Sequence, residues 1–181
     1  MEPDTWDKQA GIAKLKKQFG IGEELIQEFR VPYVYLNREL IRSRGLDQAE
    51  VEDAVAEEIM KLKGVSLAVS STALMQGRLS DTALNRSILN GHNPKRSGDI
   101  FVVFEPHWFI NDFDGLIVAS THGSPWRYDT FVPVIFSGAG LKPQRIYREI
   151  QTVDVATTLS AFIGTNRPCG ARGQILQEVV R

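Results

Sequence analysis

Apolar positions along the chain follow helical spacing in some stretches and strand spacing in others. Ile12, Leu15 and Phe19 fall on one face of a first helix, for which Asp4 offers an N-cap and Gly20 a stop. Leu25, Ile26 and Phe29 predict a short second helix. The run Val-Pro-Tyr-Val-Tyr-Leu at 31–36 is β-branched and aromatic behind an edge proline, and predicts a strand. The clearest helix spans about 48–63. Asp47 caps it, Glu50 completes a capping box, and Leu46 can staple onto Val51. Its buried stripe is Val51, Val55, Ile59 and Leu62. Glu50, Glu52 and Asp53 crowd its start while Lys61 and Lys63 sit at its end, as the helix dipole favours, and this charge run predicts a solvated face.

A strand at 65–70 follows, then short helical turns at 72–75 and 81–90. The strand at 99–105 is nearly all apolar and is expected to be covered on both faces. This alternation of strand and helix predicts a small strand-helix-strand-helix-strand lobe, and an α/β fold class. From about His107 a second section begins. A strand at 116–120 runs into a Gly- and Pro-containing turn, residues 131–136 form a buried strand, and 137–140 a turn that ends it. Thr152 caps a last helix whose face is Val155, Leu159, Phe162 and Ile163, closed by Gly164. The division is a helical lead-in at 1–30, the small α/β lobe at 31–106, and a partial core sheet at 107–181.

Composition narrows the functional classes. The chain has 181 residues, 43% apolar and 24% charged, enough for one domain or two small lobes. A net charge of −1 offers no basic face, so no nucleic-acid partner is expected. No run approaches the ~20 apolar residues of a membrane span, and the N-terminus lacks the basic and apolar regions of a secretory signal. The one cysteine, Cys169, excludes an intramolecular disulfide and a cysteine zinc cluster, and reads as a small semi-buried apolar residue.

Three histidines are available for chemistry. His92 lies in a polar loop and reads as solvated; His107 precedes Trp108 and reads as packed against it. His122 follows an apolar strand and is flanked by Gly123 and Pro125, at the carboxyl end of a strand where α/β folds gather ligands. Tyr128 and Asp129, a few residues on, are placed to orient such an imidazole or to wall its site. One histidine does not make a zinc site, which takes three protein ligands and an open position. Ser124 would need a base to act as a nucleophile, and His122, two residues away, is a poor one.

The run Thr121-His122-Gly123-Ser124-Pro125-Trp126-Arg127-Tyr128-Asp129-Thr130 resembles the distal metal-ligand segment of bacterial alkaline phosphatase superfamily proteins of the type I phosphodiesterase/nucleotide pyrophosphatase kind. Upstream, Arg96-Ser97-Gly98-Asp99 and Val34-Tyr35-Leu36-Asn37-Arg38-Glu39 are similar to segments of that group. Downstream, Val153-Asp154-Val155-Ala156-Thr157-Thr158-Leu159 resembles its Val-Asp-Ile-Ala-Pro-Thr-Leu helix, with Thr157 in place of the usual proline. The resemblance implies the C-terminal portion of an alkaline-phosphatase-like fold, with 107–181 as part of the metal-site core.

It further implies a site with two zinc ions, a Thr or Ser nucleophile and a phosphate-ester substrate. Of that site only His122 carries over as a metal ligand. Arg96, Tyr128 and Asp129 match family positions and are read first as structural or as supports of the ligand. The nucleophile and the other ligands lie in the family's N-terminal half, whose motifs are not in this chain, so the isolated chain is expected to be inactive. Members are often periplasmic or secreted. A missing N-terminal half, or an oligomer, should then cover apolar surface left near 116–120 and 131–136. The alternative is a non-catalytic binding or interaction domain that kept the scaffold without the site. Sulfatases and phosphomutases reuse the same metal scaffold, so a relative of either is a third possibility.

Overall fold

The structure is a computed structural model describing residues 3–113 and 115–180. It divides into two compact units, Met1–Phe131 and Val132–Arg181.

The first unit opens with a 3-10 segment, Pro3–Lys8, followed by α1 (Ala10–Gln18). Asp4 is therefore not the cap of α1; that position falls to Gln9, which makes no capping hydrogen bond. Asp7 serves a longer-range purpose. Its Oδ1 accepts the N–H groups of Leu25 and Ile26 at 2.8 Å each, and its Oδ2 takes Lys16 Nζ at 2.5 Å. That anchor starts β1 (Ile26–Arg30), where the sequence predicted a helix. The spacing of Leu25, Ile26 and Phe29 suits a helix, but pairing with β2 (Tyr33–Leu36) in a hairpin satisfies the backbone instead.

Asn37 caps α2 (Arg38–Ser43), and Asp47 caps α3 (Gln48–Met60) by accepting the Glu50 N–H at 3.0 Å. β3 (Val65–Ser70) leads into α4 (Ser71–Met75), and Thr82 caps α5 (Ala83–Gly91). β4 (Ile100–Phe104) then completes a four-stranded antiparallel sheet of order β1-β2-β4-β3. Irregularities interrupt the ladder in β1 between Ile26 and Glu28 and in β3 between Val65 and Leu67, and these are the two edge strands.

Alternation along β4 covers the sheet on both sides, as the apolar run predicted. Ile100 and Val102 join the larger core with Val51, Val55 and Ile59 of α3 and Ile12 and Leu15 of α1. Val103 turns to a smaller core with Val69, Ala73, Leu74 and Ile88. Gly98 and Asp99 lock this arrangement. A Cβ on Gly98 would lie 2.6 Å from Tyr33 Cβ and 2.8 Å from the Val34 carbonyl oxygen, so only glycine lets the chains approach. Buried Asp99 accepts the Leu36 N–H at 2.7 Å and Arg38 Nε at 2.5 Å. The Arg-Ser-Gly-Asp run is thus a joint between β2 and β4.

The charge run of α3 is not wholly solvated. Glu52 is 1% exposed, accepting Gln48 Nε2 at 2.6 Å and the Thr72 N–H at 3.0 Å. Asp53 takes Ser70 Oγ at 2.5 Å and Arg78 at 2.7 Å. Helical spacing cannot tell a solvated acid from one that reaches a neighbouring helix.

The end of the first unit is irregular. The strand predicted at 116–120 reduces to β6 (Leu116–Ile117), which pairs with β5 (Asp112–Phe113). After a short α6 (Arg127–Thr130), residues 131–136 form no strand, and Phe131 and Ile135 are 76% and 83% exposed. The buried strand expected there has no neighbour to pair with among the described residues.

The second unit contains α7 (Asp154–Phe162) and α8 (Gln177–Val180). Thr152 does not cap α7; its N-cap position is Val153, without a side-chain hydrogen bond. The expected burial of α7 is reversed. Asp154, Thr157, Thr158 and Ser160 are buried, while Leu159, Phe162 and Ile163 are exposed. The polar face is occupied by the returning tail: Gln174 N–H donates to Asp154 Oδ1 at 2.8 Å, and Leu176 N–H to Thr158 Oγ1 at 3.0 Å. Cys169 is exposed rather than semi-buried. No helix among the described residues is long and apolar enough to cross a membrane.

Candidate metal-ligand turn

Residues 121–130 place the candidate chemistry on an exposed turn followed by α6. Gly123 has φ +100°, a backbone conformation that L side chains rarely adopt, and this turns the chain sharply beside exposed His122. Asp129 closes the turn by accepting the Ser124 N–H at 2.9 Å. Its carboxyl is held below the usual carboxylate range, first by the adjoining Ser124 side chain, then by that N–H, with the charge of His122 adding to the effect. The Ser124 Oγ makes no full hydrogen bond among the described residues, and the charged group beside it is the Asp129 carboxylate rather than an imidazole.

Tyr128 is engaged elsewhere. Its hydroxyl accepts the His107 N–H at 3.0 Å, and its ring stacks on the His107 imidazole with centroids 4.8 Å apart. His107 therefore packs on Tyr128 rather than on Trp108, with a positive φ of 66°. Trp126 ties α6 to the sheet by donating its indole N–H to the Phe104 carbonyl at 2.8 Å. Arg96 is exposed in the turn before β4.

A second polar cluster had no signal in the sequence, since its members are widely separated. His92 is half-buried rather than solvated, with Nε2 3.1 Å from Ser71 Oγ. Burial holds its pKa below the ordinary value, and nearby Glu52 opposes that shift. The pair lacks the rest of a nucleophilic site. Among the described residues His92 Nδ1 has no orienting partner, and the Thr72 and Ala73 N–H groups are spent on Glu52 and Ser70. It is a structural contact.

Among the described residues, no group of three or more His, Cys, Asp or Glu side chains is placed to hold a metal ion. His122 fits the role of one ligand, but the donor set present does not fit a complete zinc site.

No protein-family profile matches the chain. A protein named calcium-transporting ATPase from Myroides odoratus is 32% identical over 167 residues, which are 92% of this chain and 30% of that protein. Alkaline phosphatase PafA from Elizabethkingia meningoseptica is 30% identical over 174 residues, 93% of this chain and 30% of its own length. The crystal structure of wild-type alkaline phosphatase PafA superposes with a TM-score of 0.81 at 28% identity, over 98% of this chain and 33% of that one. The chain carries the C-terminal part of an alkaline phosphatase fold. It spans about a third of the length of the curated relatives it matches. Within the alkaline phosphatase fold, the Asp99 joint and the Asp129-closed turn explain structurally why the Arg-Ser-Gly-Asp and His-Gly-Ser segments have their form.

Proposed function

We propose that this chain is the C-terminal part of a zinc-dependent phosphate-ester hydrolase of the type I phosphodiesterase/nucleotide pyrophosphatase kind. In this reading His122 supplies one metal ligand, and Asp129 steadies its turn. The nucleophile and remaining ligands come from polypeptide outside these 181 residues. The observation that carries the reading is the exposed His122-Gly123 turn, set in a fold that matches a third of a phosphatase. The outward-facing apolar side chains of 131–136 and α7 support it, because a sheet and metal half seated there would bury them.

The test has two arms. The chain alone, with zinc, should leave an aryl phosphate ester at its background rate of hydrolysis; a robust, chelator-sensitive rate would sink the missing-ligand reading. Mixed with a polypeptide covering the other two thirds of a related phosphatase, it should give chelator-sensitive turnover that His122→Ala abolishes. Assembly without turnover favours the second reading, an interaction domain that has kept the scaffold without the site.

A further inference from the structure

The second unit holds a cleft of about 640 Å³, formed by α7 and the segment that returns over it. Its walls include Thr157, Ser160, Arg167, Arg172, Gln174 and Ile175, and no acidic side chain. The acids of the elements around it are engaged. Asp154 accepts the Gln151 and Gln174 N–H groups, and Glu178 holds Arg148. Arg167 and Arg172 therefore line a cleft with no acidic side chain in its wall.

Thr157 is the independent observation. It is 4% exposed, lines the cleft, and its Oγ1 has no hydrogen-bond partner among the described residues. Its neighbour Thr158 shows what a satisfied hydroxyl looks like here, donating to the Asp154 carbonyl and accepting the Leu176 N–H. A buried hydroxyl without a partner is destabilising, so a position that keeps one points to a partner supplied from outside. Thr157 is also the position at which this helix departs from the proline of the resembling segment.

We propose that this cleft binds a small organic anion. A phosphate or carboxylate group sits against Arg167 and Arg172, the apolar body lies on Ala161 and Ile175, and Thr157 Oγ1 fixes its orientation through a hydrogen bond. The proposal does not rest on the phosphatase reading, because none of these residues belongs to the 121–130 segment.

The full chain carrying His122→Ala, so that the turn cannot contribute, is titrated with phenyl phosphate, benzoate and neutral benzyl alcohol. Amide chemical shifts of residues 157–177 are followed by NMR. The anions should bind saturably and the alcohol should not. Arg167→Gln and Arg172→Gln should each weaken binding about tenfold, and added salt should weaken it further. Thr157→Val should weaken it about threefold. Binding of only one of the two anions names the group and still supports the site. Absence of saturable shifts, equal binding of benzyl alcohol, or unchanged affinity in both arginine variants would overturn it. The arginines are exposed, so those variants decide the matter even if Thr157→Val fails to fold.

Discussion

Asp99 offers the sharpest test of how the first unit is held together. Replacing it with alanine leaves the Leu36 N–H buried without an acceptor, and a buried unsatisfied donor costs about 1–3 kcal/mol. The same change frees Arg38, but that side chain is 45% exposed and water replaces its partner, so its loss adds about 0–1 kcal/mol. The total is about 1–4 kcal/mol, a large share of the ~5–15 kcal/mol stability of a typical domain. Asp99→Asn keeps an oxygen for Leu36 and should cost about 1 kcal/mol. Urea unfolding followed by far-UV circular dichroism reads both variants. The Asp99→Ala midpoint should fall by about 0.5–2 M with an unchanged slope. A midpoint shift below about 0.3 M, or equal losses for Asn and Ala, would refute the claim that Asp99 acts by satisfying the β2 backbone.

Three further outcomes follow from the same geometry. Gly98→Ala should cost about 2 kcal/mol, because the new Cβ meets Tyr33 and the Val34 carbonyl; thermal melting checks it, and a neutral result would mean the strands can part there. Glu52→Ala should cost about 2–4 kcal/mol by stranding Gln48 and the Thr72 N–H, with Glu52→Gln milder, in the same urea assay. His92 has a lowered folded-state pKa, so the unfolded chain takes up its proton first as pH falls. Its contribution to stability is full above about pH 6.5, drains away below it, and levels off once the folded pKa is passed. His92→Gln should flatten that slope in unfolding midpoints measured between about pH 5 and 8.

Local signals in the sequence located what local forces decide. The Asp47 cap, the α3 stripe and the apolar β4 run all appear as read, because capping and periodic burial are written within one element. Three readings failed where a distant partner decides. β1 took a hairpin in place of a helix, held by Asp7 from 18 residues away. Glu52 left the solvated face for the start of α4. α7 turned its polar face inward onto the tail, so its apolar stripe identified a surface that faces outward within this unit. At the candidate site, His122 and Asp129 were legible as neighbours in one turn. The Ser71–His92 contact was not, since nothing local links residues 21 apart.

The interruptions in β1 and β3 have a consequence for handling the molecule. Both outer rims of the four-stranded sheet are kinked, which discourages growth by edge-to-edge addition. The segment Phe-Val-Pro-Val-Ile-Phe at 131–136 has no such guard. It is uncharged, rich in β-formers and outward-facing, and but for Pro133 it would have the profile of a segment that nucleates cross-β fibrils. Pro133 is the gatekeeper within it, so replacing that residue with a β-former should speed aggregation of a purified sample.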